Sequence, residues 1–305
     1  MQDNRDVSDC MGISVRKQNI QQYENKQHGT ELLPYDIYGT KIPEYYTVYP
    51  VHWHEEMEIV VAVSGSCLYS VDFKQYEVKE GDILIIPPAS LHSFERQGEE
   101  SFIGFVILFH AAMINNNTLD ICSAKYITPI FNNEMYLPCF IPSDSEHNQP
   151  LHAIIREILK SHFEKNEGYE LLMKISLMKF IYYFIGNHLW LKGEQRISTD
   201  RSILQMKKII HYIEEHYNEK ITLETLADHA GLSQYHLAHT FKKCTGQSPI
   251  EFINHYRLSM AAARLIETDE QIIEIAIDTG FNNISYFNRI FKKRFGVTPK
   301  EYRNK

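Results

Sequence analysis

Short apolar runs separated by turn residues dominate the first half of the chain, after a polar start. Residues 1–30 contain few large apolar side chains, which predicts a flexible lead-in. Further on, β-branched and aromatic residues recur in short runs that Gly, Pro, Asp, Lys and Ser interrupt, at 59–63, 67–71, 83–86 and 102–109. Strands of this length and spacing predict an antiparallel barrel or sandwich over residues 31–149.

The periodicity changes near Pro150. Residues 119–149 mix Asn, Pro and aromatic residues without a clean period, and we interpret them as the irregular closing of the barrel. Apolar residues then recur at helical spacing over 151–163 and, after a break at Gly168, over 171–185. These helices have more apolar surface than a connector needs, so the linker over 150–199 either dimerises or packs against the barrel. The polar segment 192–200 ends this periodicity.

The last third of the chain contains one supersecondary unit twice. Residues 291–300 nearly repeat residues 241–250 at an offset of 50 residues, with the shared pattern FKKxxGx[ST]P. Each copy shows helical spacing up to a glycine, then a polar N-cap residue and a second amphipathic run. The sequence therefore predicts helix-turn-helix units at 222–244 and 272–295 within a helical domain at 200–305, joined by a rigid helix over 249–267.

The outward faces of the second helices end in paired lysines. Such faces suit a phosphate backbone, although most charged helix faces are merely solvated. Two copies with the same ending favour the nucleic-acid interpretation. The predicted backbone contacts are Ser233, Lys242, Lys243, Asn283, Lys292 and Lys293.

Charge is shared unevenly along the chain. The formal net charge is −8, yet residues 201–305 hold 15 Lys and Arg against 12 Asp and Glu, and the other 200 residues carry −11. The basic surplus lies with the repeats, which favours double-stranded DNA as a partner of that part. The acidic remainder disfavours a protein that packages DNA without sequence preference.

The composition also indicates the compartment. Five scattered cysteines without CxxC spacing favour a reducing cytoplasm over a disulfide or zinc framework. The N-terminus shows no signal-peptide pattern. The apolar segments at 102–114 and 171–191 are respectively too short and interrupted by Lys and His, so neither predicts a membrane span.

The repeats resemble the AraC/XylS family of bacterial transcription regulators. The residues that carry the resemblance include Leu226-Ala227, Gly231-Leu232-Ser233, Phe241-Lys242-Lys243, Ser248-Pro249, Gly280-Phe281, Phe291-Lys292-Lys293 and Thr298-Pro299. The resemblance implies a DNA operator, a homodimer formed through the linker, and RNA polymerase as a further candidate partner. It also implies base-reading positions at Tyr235, Ala238, His239, Ile284, Ser285, Tyr286 and Arg289.

A second resemblance lies in the β-rich region, where the spacing is similar to the two cupin motifs. It rests on His52, His54, Glu58 and Gly65, followed by Gly81, Pro87 and His92. The chain departs from those motifs at Tyr46, Ala89 and Arg96. The spacing of His52, His54 and Glu58 predicts one face of an extended strand, provided that no bulge intervenes.

The cupin resemblance implies an effector pocket lined by His52, Trp53, His54, Glu58 and His92. Three imidazoles and a carboxylate, from His52, His54, His92 and Glu58, are also a ligand set for a divalent metal. The departures from the motif favour a pocket without a metal, so no cofactor is expected.

Two functions of different classes follow. One is a ligand-responsive, sequence-specific transcription regulator that activates genes for a carbohydrate or another small carbon source. The other is a metal-binding cupin enzyme fused to a DNA-binding domain, and we expect the protein not to be an enzyme. Aromatic residues around the cupin motif would suit stacking on a sugar ring, although core packing is their more common role.

Overall fold

The computed structural model describes residues 28–42, 48–96, 101–115, 120–192 and 197–304. These residues form two compact units, the first ending at Ile197 and the second beginning at Ser198. The predicted flexible lead-in, residues 1–30, lies outside the described residues except for its last three. His28 is buried and Thr30 forms a β-bridge with Leu33, so these three belong to the fold and the predicted lead-in is too long.

The described part of the first unit contains two large antiparallel β-sheets and a small two-stranded one. Its main strands are β1 Tyr35–Ile42, β2 Val48–His52, β3 Met57–Ser64, β4 Ser66–Val71, β5 Lys74–Lys79, β6 Ile83–Ile86, β7 His92–Arg96 and β8 Phe102–Phe109, with short strands β9 Met135–Tyr136, β10 Phe140–Ile141 and β11 Leu191–Lys192. One large sheet has the order β1-β8-β3-β6-β10, the other has the order β2-β7-β4-β5, and β9 pairs with β11 in the small sheet. All four predicted apolar runs are strands. The predicted α+β class, with an antiparallel β domain followed by a helical domain, is confirmed.

The alternation of side chains along β3 and β6 separates two cores. Val60 and Leu84 face the second sheet and pack with Tyr69 of β4. Ile59 and Ile85, on the opposite face, pack instead with helical residues of the same unit. Successive side chains of a strand point to opposite faces of the sheet. A strand whose sheet is covered on both faces therefore has a continuous apolar sequence.

Helices cover the outer face of the five-stranded sheet. They are α1 Thr128–Phe131, α2 Asn148–Glu164 and α3 Tyr169–Gly186, and a π-helical turn, Ser123–Ile127, precedes α1. The predicted irregular closing at 119–149 is therefore wrong in part, because this segment contains α1, β9, β10 and the start of α2. The interpretation that the linker helices pack against the barrel is correct for one face of α2 and of α3. The residues on these faces pack with the five-stranded sheet and include Leu151, Ile155, Leu177 and Phe180.

The second unit is entirely helical in its described residues. Its helices are α4 Ile197–His216, α5 Leu223–Ala230, α6 Gln234–Thr245, α7 Pro249–Glu267, α8 Ile272–Asp278, α9 Ile284–Phe295 and α10 Pro299–Arg303. The linker helix α3 ends at Gly186, and both the start of α4 and the division between the two units lie within the polar segment 192–200. No helix in the described ranges is long and apolar enough to cross a membrane.

Local signals explain the two helix-turn-helix units. The side chains of Ser233 and Asn283 accept hydrogen bonds from backbone N–H groups of α6 and α9, as N-caps. Gly280, in the turn before α9, has a φ of +88°, and a Cβ there would lie 2.7 Å from the carbonyl oxygen of Tyr217. Only glycine fits that position.

Ala89 occupies a left-handed conformation, with a φ of +57°. It stands where the cupin motif has glycine, a residue that adopts this conformation without strain. Its N–H donates to the carbonyl oxygen of His54 at 2.8 Å, which ties the turn to the histidine segment. A left-handed conformation costs a non-glycine residue about 1–2 kcal/mol.

An Ala89→Gly variant is expected to raise the free energy of unfolding of the first unit by about 0.5–1 kcal/mol, because the relief of strain outweighs the added freedom of the unfolded chain. Both tryptophans, Trp53 and Trp190, lie in this unit, so urea unfolding followed by tryptophan fluorescence measures it. Ala153→Gly in α2 is the control and should lose about 1 kcal/mol. Destabilisation by Ala89→Gly would contradict the prediction.

Candidate functional site

Three buried histidines of the first unit converge where β2 ends and β7 and β3 begin. One nitrogen of each of His52, His54 and His92 lies within 4.8 Å of the others. The prediction that His52, His54 and Glu58 share one face of a strand is wrong. His52 ends β2, His54 lies in the connection and Glu58 belongs to β3, so the connection from one sheet to the other brings them together.

The Glu58 carboxylate lies between two of these histidines. Its Oε2 is 3.3 Å from His54 Nε2 and 3.2 Å from His92 Nε2. The other ring nitrogens are directed elsewhere. His92 Nδ1 lies 2.9 Å from the carbonyl oxygen of Ser90 and must donate to it, and His54 Nδ1 is 3.4 Å from Glu56 Oε2. The backbone and Glu56 thereby fix the orientation of both rings.

The cluster stabilises charge despite its burial. Burial alone would lower the pKa of His54, but Glu56 and Glu58 outweigh it and raise the pKa to about 9. Burial alone would raise the pKa of Glu58, but His92 and His54 hold it well below its ordinary value. At neutral pH His54 is therefore protonated and Glu58 is ionised.

The donor set also fits a divalent metal ion. Imidazole nitrogens and a carboxylate are common ligands of zinc, manganese, iron and nickel. Metal-bound histidines usually donate their second N–H to a carboxylate or a backbone carbonyl. His92 makes such a bond to Ser90, and the second nitrogen of His54 forms an ion pair with Glu56. His92 Nε2 is buried, and in the described part of the chain it forms an ion pair with the Glu58 carboxylate at 3.2 Å. A positive charge between His92 and Glu58, whether a proton or a metal, would suit this geometry.

In the second unit, matching positions of the two helix-turn-helix units form exposed faces. Tyr235, His239, Lys242 and Lys243 of α6 correspond to Ser285, Arg289, Lys292 and Lys293 of α9, and all eight side chains are exposed. Tyr235 is 84% exposed. The apolar faces are buried, with Leu237 and Phe241 matching Phe287 and Phe291. Each second helix therefore presents a polar, lysine-ended face to solvent, as the sequence predicted.

Three predicted base-reading residues differ from this picture. Ile284 packs partly against the core of the unit, and Ala238 is only partly exposed. The hydroxyl of Tyr286 accepts a hydrogen bond from Asn254 Nδ2 of α7 at 3.2 Å. The guanidinium of Arg289 lies 5.4 Å from the centre of the Tyr286 ring. Tyr286 thus contacts the joining helix and also positions Arg289.

Two family profiles match the two units. Residues 34–181 match an AraC-like ligand binding domain, and residues 226–305 match a helix-turn-helix domain. The chain belongs to the AraC family. The first unit of this AraC-family regulator is thus its ligand-binding domain, and the second is its DNA-binding domain.

Relatives of this AraC-family regulator include YdeC of Bacillus subtilis, described as an uncharacterized helix-turn-helix-type transcriptional regulator. YdeC is 26% identical over 95% of this chain and 97% of its own length. AdaA of the same organism, a bifunctional transcriptional activator and DNA repair enzyme, is 43% identical, but over only 31% of this chain and 45% of its own length. Among solved structures, ToxT of Vibrio cholerae is 15% identical over 88% of this chain and 97% of its own, with a TM-score of 0.43.

The tertiary structure adds three residues to the histidine site of this AraC-family regulator. The ring of His28 lies 5.8 Å from that of His54, and its Nδ1 is 2.9 Å from the hydroxyl of Tyr38. Glu56 contacts His54 from the connection before β3. Tyr69 lies on the inward face of β4. His28 belongs to the predicted lead-in and carries no motif, so the sequence offered no signal for it.

Proposed function

We propose that this AraC-family protein is a ligand-responsive, sequence-specific regulator that activates genes for the use of a carbohydrate or another small carbon source. The observation that carries the DNA-binding part is the pair of matching exposed faces on α6 and α9. Each face offers base-reaching side chains near its N-terminal end and two lysines near its C-terminal end. Phosphate contacts fix position and base contacts supply specificity, so one such helix performs both tasks.

The joining helix supports simultaneous binding to two successive major grooves. Helix α7 has 19 residues, and a helix of that length spans about 28 Å. Successive major grooves on one face of DNA recur about every 34 Å. Ser248 and Glu251 cap the start of α7 reciprocally, and Arg257 from its middle donates to the carbonyl oxygens of Tyr217 and Glu219. A helix fixed in this way acts as a rigid spacer between the DNA-contacting helices α6 and α9.

The effector pocket in this proposal is the histidine cluster of the first unit, including Trp53. Its members are buried and polar, and burying such groups is costly unless they are paired or used. A small-molecule effector is the primary assignment. The second candidate ligand is a divalent metal held by His52, His54, His92 and Glu58, which would act as a Lewis acid when bound. The observation that favours it is the convergence of three buried histidine nitrogens within 4.8 Å of one another.

Helix α3 supports a homodimer. One of its faces is buried in the core, yet Leu171, Ile175, Met178 and Tyr182 are exposed at helical spacing along another. An i, i+4, i+7, i+11 row of large apolar residues is the pattern by which helices pair. A dimer would present two DNA-binding domains to two half-sites. RNA polymerase is a further proposed partner of the DNA-bound regulator.

We infer that the protein is not an enzyme. A metal-dependent cupin activity is the competing function, and it would use the same four ligands. Incubation of the protein with candidate effectors, followed by mass spectrometry, separates the two, because a sensor returns its ligand unchanged. A new product formed by the wild-type protein but not by Glu58→Ala would favour the enzyme.

Replacing Arg289 with alanine is expected to weaken binding to a preferred DNA site by about 1–3 kcal/mol and to relax the preference at one base pair. The reason is that arginine reads guanine through two hydrogen bonds, and Tyr286 already holds this side chain in place. The preferred site would be selected from a random DNA pool with the wild-type protein. Affinities for selected and unrelated DNA would then be measured over a range of salt concentrations.

Lys292→Ala and Lys293→Ala are the matched controls for charge. Each variant should bind selected and unrelated DNA more weakly by the same factor. The slope of log affinity against log salt concentration should fall by the equivalent of about one phosphate contact. If Arg289→Ala lowered both affinities by the same factor, its role in reading bases would be wrong. If the wild-type protein selected no preferred sequence, the proposed function itself would fail.

A further inference from the structure

Arg257 lies in the middle of α7 and binds the end of α4. Its Nε donates to the carbonyl oxygen of Tyr217 at 2.6 Å, and a terminal N–H group donates to the carbonyl oxygen of Glu219 at 2.7 Å. Helix α4 ends at His216, so both acceptors lie just beyond its C-terminus, where a cation is favoured. The planar guanidinium binds both carbonyls at once, which fixes its orientation.

The same arginine contacts the turn of the second helix-turn-helix unit. Its guanidinium carbon lies 5.9 Å from the centre of the Phe281 ring, between α8 and α9. The neighbouring Gly280 lies so close that a Cβ there would be 2.7 Å from the Tyr217 carbonyl oxygen and 2.8 Å from Arg257 Nε. Arg257 therefore connects the end of α4, the middle of α7 and the turn between α8 and α9.

Helix α4 in turn supports the first helix-turn-helix unit. The ring centroids of Tyr212 on α4 and His229 on α5 are 4.5 Å apart. Gln205 of α4 donates through Nε2 to the carbonyl oxygen of Ala230, at the end of α5, at 3.4 Å. A chain of contacts thus runs from α5 through α4 to Arg257, and from Arg257 to the second helix-turn-helix unit.

Apolar packing places the two helix-turn-helix units on different halves of α7. Phe241 of α6 packs on Phe252 in the first half, with ring centroids 5.1 Å apart. Leu258, at the start of the second half, belongs to one core with Phe287 of α9. Apolar contacts are not directional, whereas hydrogen bonds weaken steeply when they bend. Arg257 lies between the two halves and adds directional bonds, while both apolar cores are independent of it.

We propose that Arg257 is a positioning residue that sets the spacing between the two DNA sequence elements read by α6 and α9. This inference rests on the proposed function, because it takes both helices to read DNA in successive grooves. One added base pair displaces the second element by about 3.4 Å and rotates it by about 35° around the DNA axis. Two helices held at a fixed angle cannot follow that displacement, so they discriminate against sites with the wrong spacing.

The test uses the full-length protein and a short DNA that carries one half-site, selected from a random pool by the wild-type protein. The base pair whose preference relaxes in Arg289→Ala marks the element that α9 reads. One base pair is then inserted between this element and the other. The wild-type protein should lose about tenfold or more in affinity, because the two helices no longer bind simultaneously.

Arg257→Met retains an unbranched side chain but loses both hydrogen bonds to the end of α4. In this variant the same insertion should lower affinity by less than about threefold, because the two helices can adjust to the new spacing. Affinity for the original spacing should also fall about threefold, because the free protein no longer holds the helices in the required orientation. The slope of log affinity against log salt concentration should equal that of the wild type, since the proposed role involves no phosphate contact.

Arg303→Met is the matched control. Arg303 also donates to two backbone carbonyls, those of Leu265 and Glu270, but it makes no such bond to the end of α4. This variant should keep the wild-type response to the insertion. Arg257→Lys is the second test variant, for use if circular dichroism shows that Arg257→Met does not fold. Lysine lacks the fork that binds two carbonyls, so its response should lie between those of the wild type and Arg257→Met.

Several results would overturn the inference. One is a wild-type response to the insertion in folded Arg257→Met or in Arg257→Lys. Another is an equal change in Arg303→Met, which would indicate a general loosening of the domain. A salt slope reduced by one phosphate contact in Arg257→Met would place this arginine on DNA instead. A wild-type protein that selects two elements but tolerates the insertion loses only this inference, whereas one that selects no sequence loses the proposed function.

Discussion

A Glu58→Ala variant is expected to lose about 3–5 kcal/mol of the free energy of unfolding of the first unit, because removing one partner of a buried ion pair leaves the other charge uncompensated. His54, with its pKa raised to about 9, keeps only Glu56 as a counter-charge. The measurement is urea unfolding followed by the fluorescence of Trp53 and Trp190. Any remaining folded protein should bind DNA but no longer respond to the effector.

Glu77→Ala serves as the control for the Glu58 variant. Glu77 is exposed on β5 and forms a surface ion pair with Lys79, so its loss should change stability by less than about 0.5 kcal/mol. Equal effects of the two substitutions would contradict a buried, charge-stabilising role for Glu58.

Metal content decides between the two candidate ligands of this site. Protein purified without a histidine tag is expected to hold far less than one metal ion per chain, and a chelator should leave its unfolding unchanged. Near-stoichiometric metal that is lost in Glu58→Ala would instead establish a metal site at the four ligands. In that case the chelator should also lower the melting temperature, because a metal bound only to the folded state stabilises it.

Ile175→Glu combined with Met178→Glu is expected to convert a dimer into a folded monomer. The two side chains are 50% and 36% exposed within one chain, so charges there should not disturb the core. Static light scattering measures the mass, and circular dichroism measures the fold. DNA with two half-sites should lose about 10²–10⁴ in affinity, because the second domain no longer binds intramolecularly, whereas a single half-site should be bound as before.

Glu170→Lys, a change of equal size in charge at another exposed position of α3, is the control and should remain dimeric. A wild-type protein that is monomeric at micromolar concentration would contradict the proposed interface. So would a double variant that stays dimeric, or one that unfolds.

The helix-turn-helix units were the most predictable part of the chain, because their signals are local. Capping residues such as Ser233 and Asn283, turn glycines such as Gly280, and the apolar spacing before each lysine pair all act within one or two turns of a helix. The exposed faces follow from the same periodicity. Contacts between helices were less visible. The hydrogen bond from Asn254 to Tyr286 joins residues 32 apart, and the Tyr286 ring also contacts Arg289.

The two faces of α3 show a different limit. Its sequence is apolar nearly all round, so periodicity alone could not separate a buried face from a partner-binding one. For that reason the sequence is compatible with both the dimer and the core interpretation. Packing against the sheet assigns Leu177 and Phe180 to the core and leaves Ile175 and Met178 outside it.

Sequence patterns alone predict the α+β class, the four apolar strands, the two helix-turn-helix units and the residue types of the histidine site. All of these depend on short-range spacing, on capping or on composition. The tertiary packing alone brings His52, His54 and Glu58 together at the connection between the two sheets, and it adds His28 and Glu56 to them. Such features depend on which distant segments pack together. The periodicity of apolar residues in a strand or a helix carries no information about that packing.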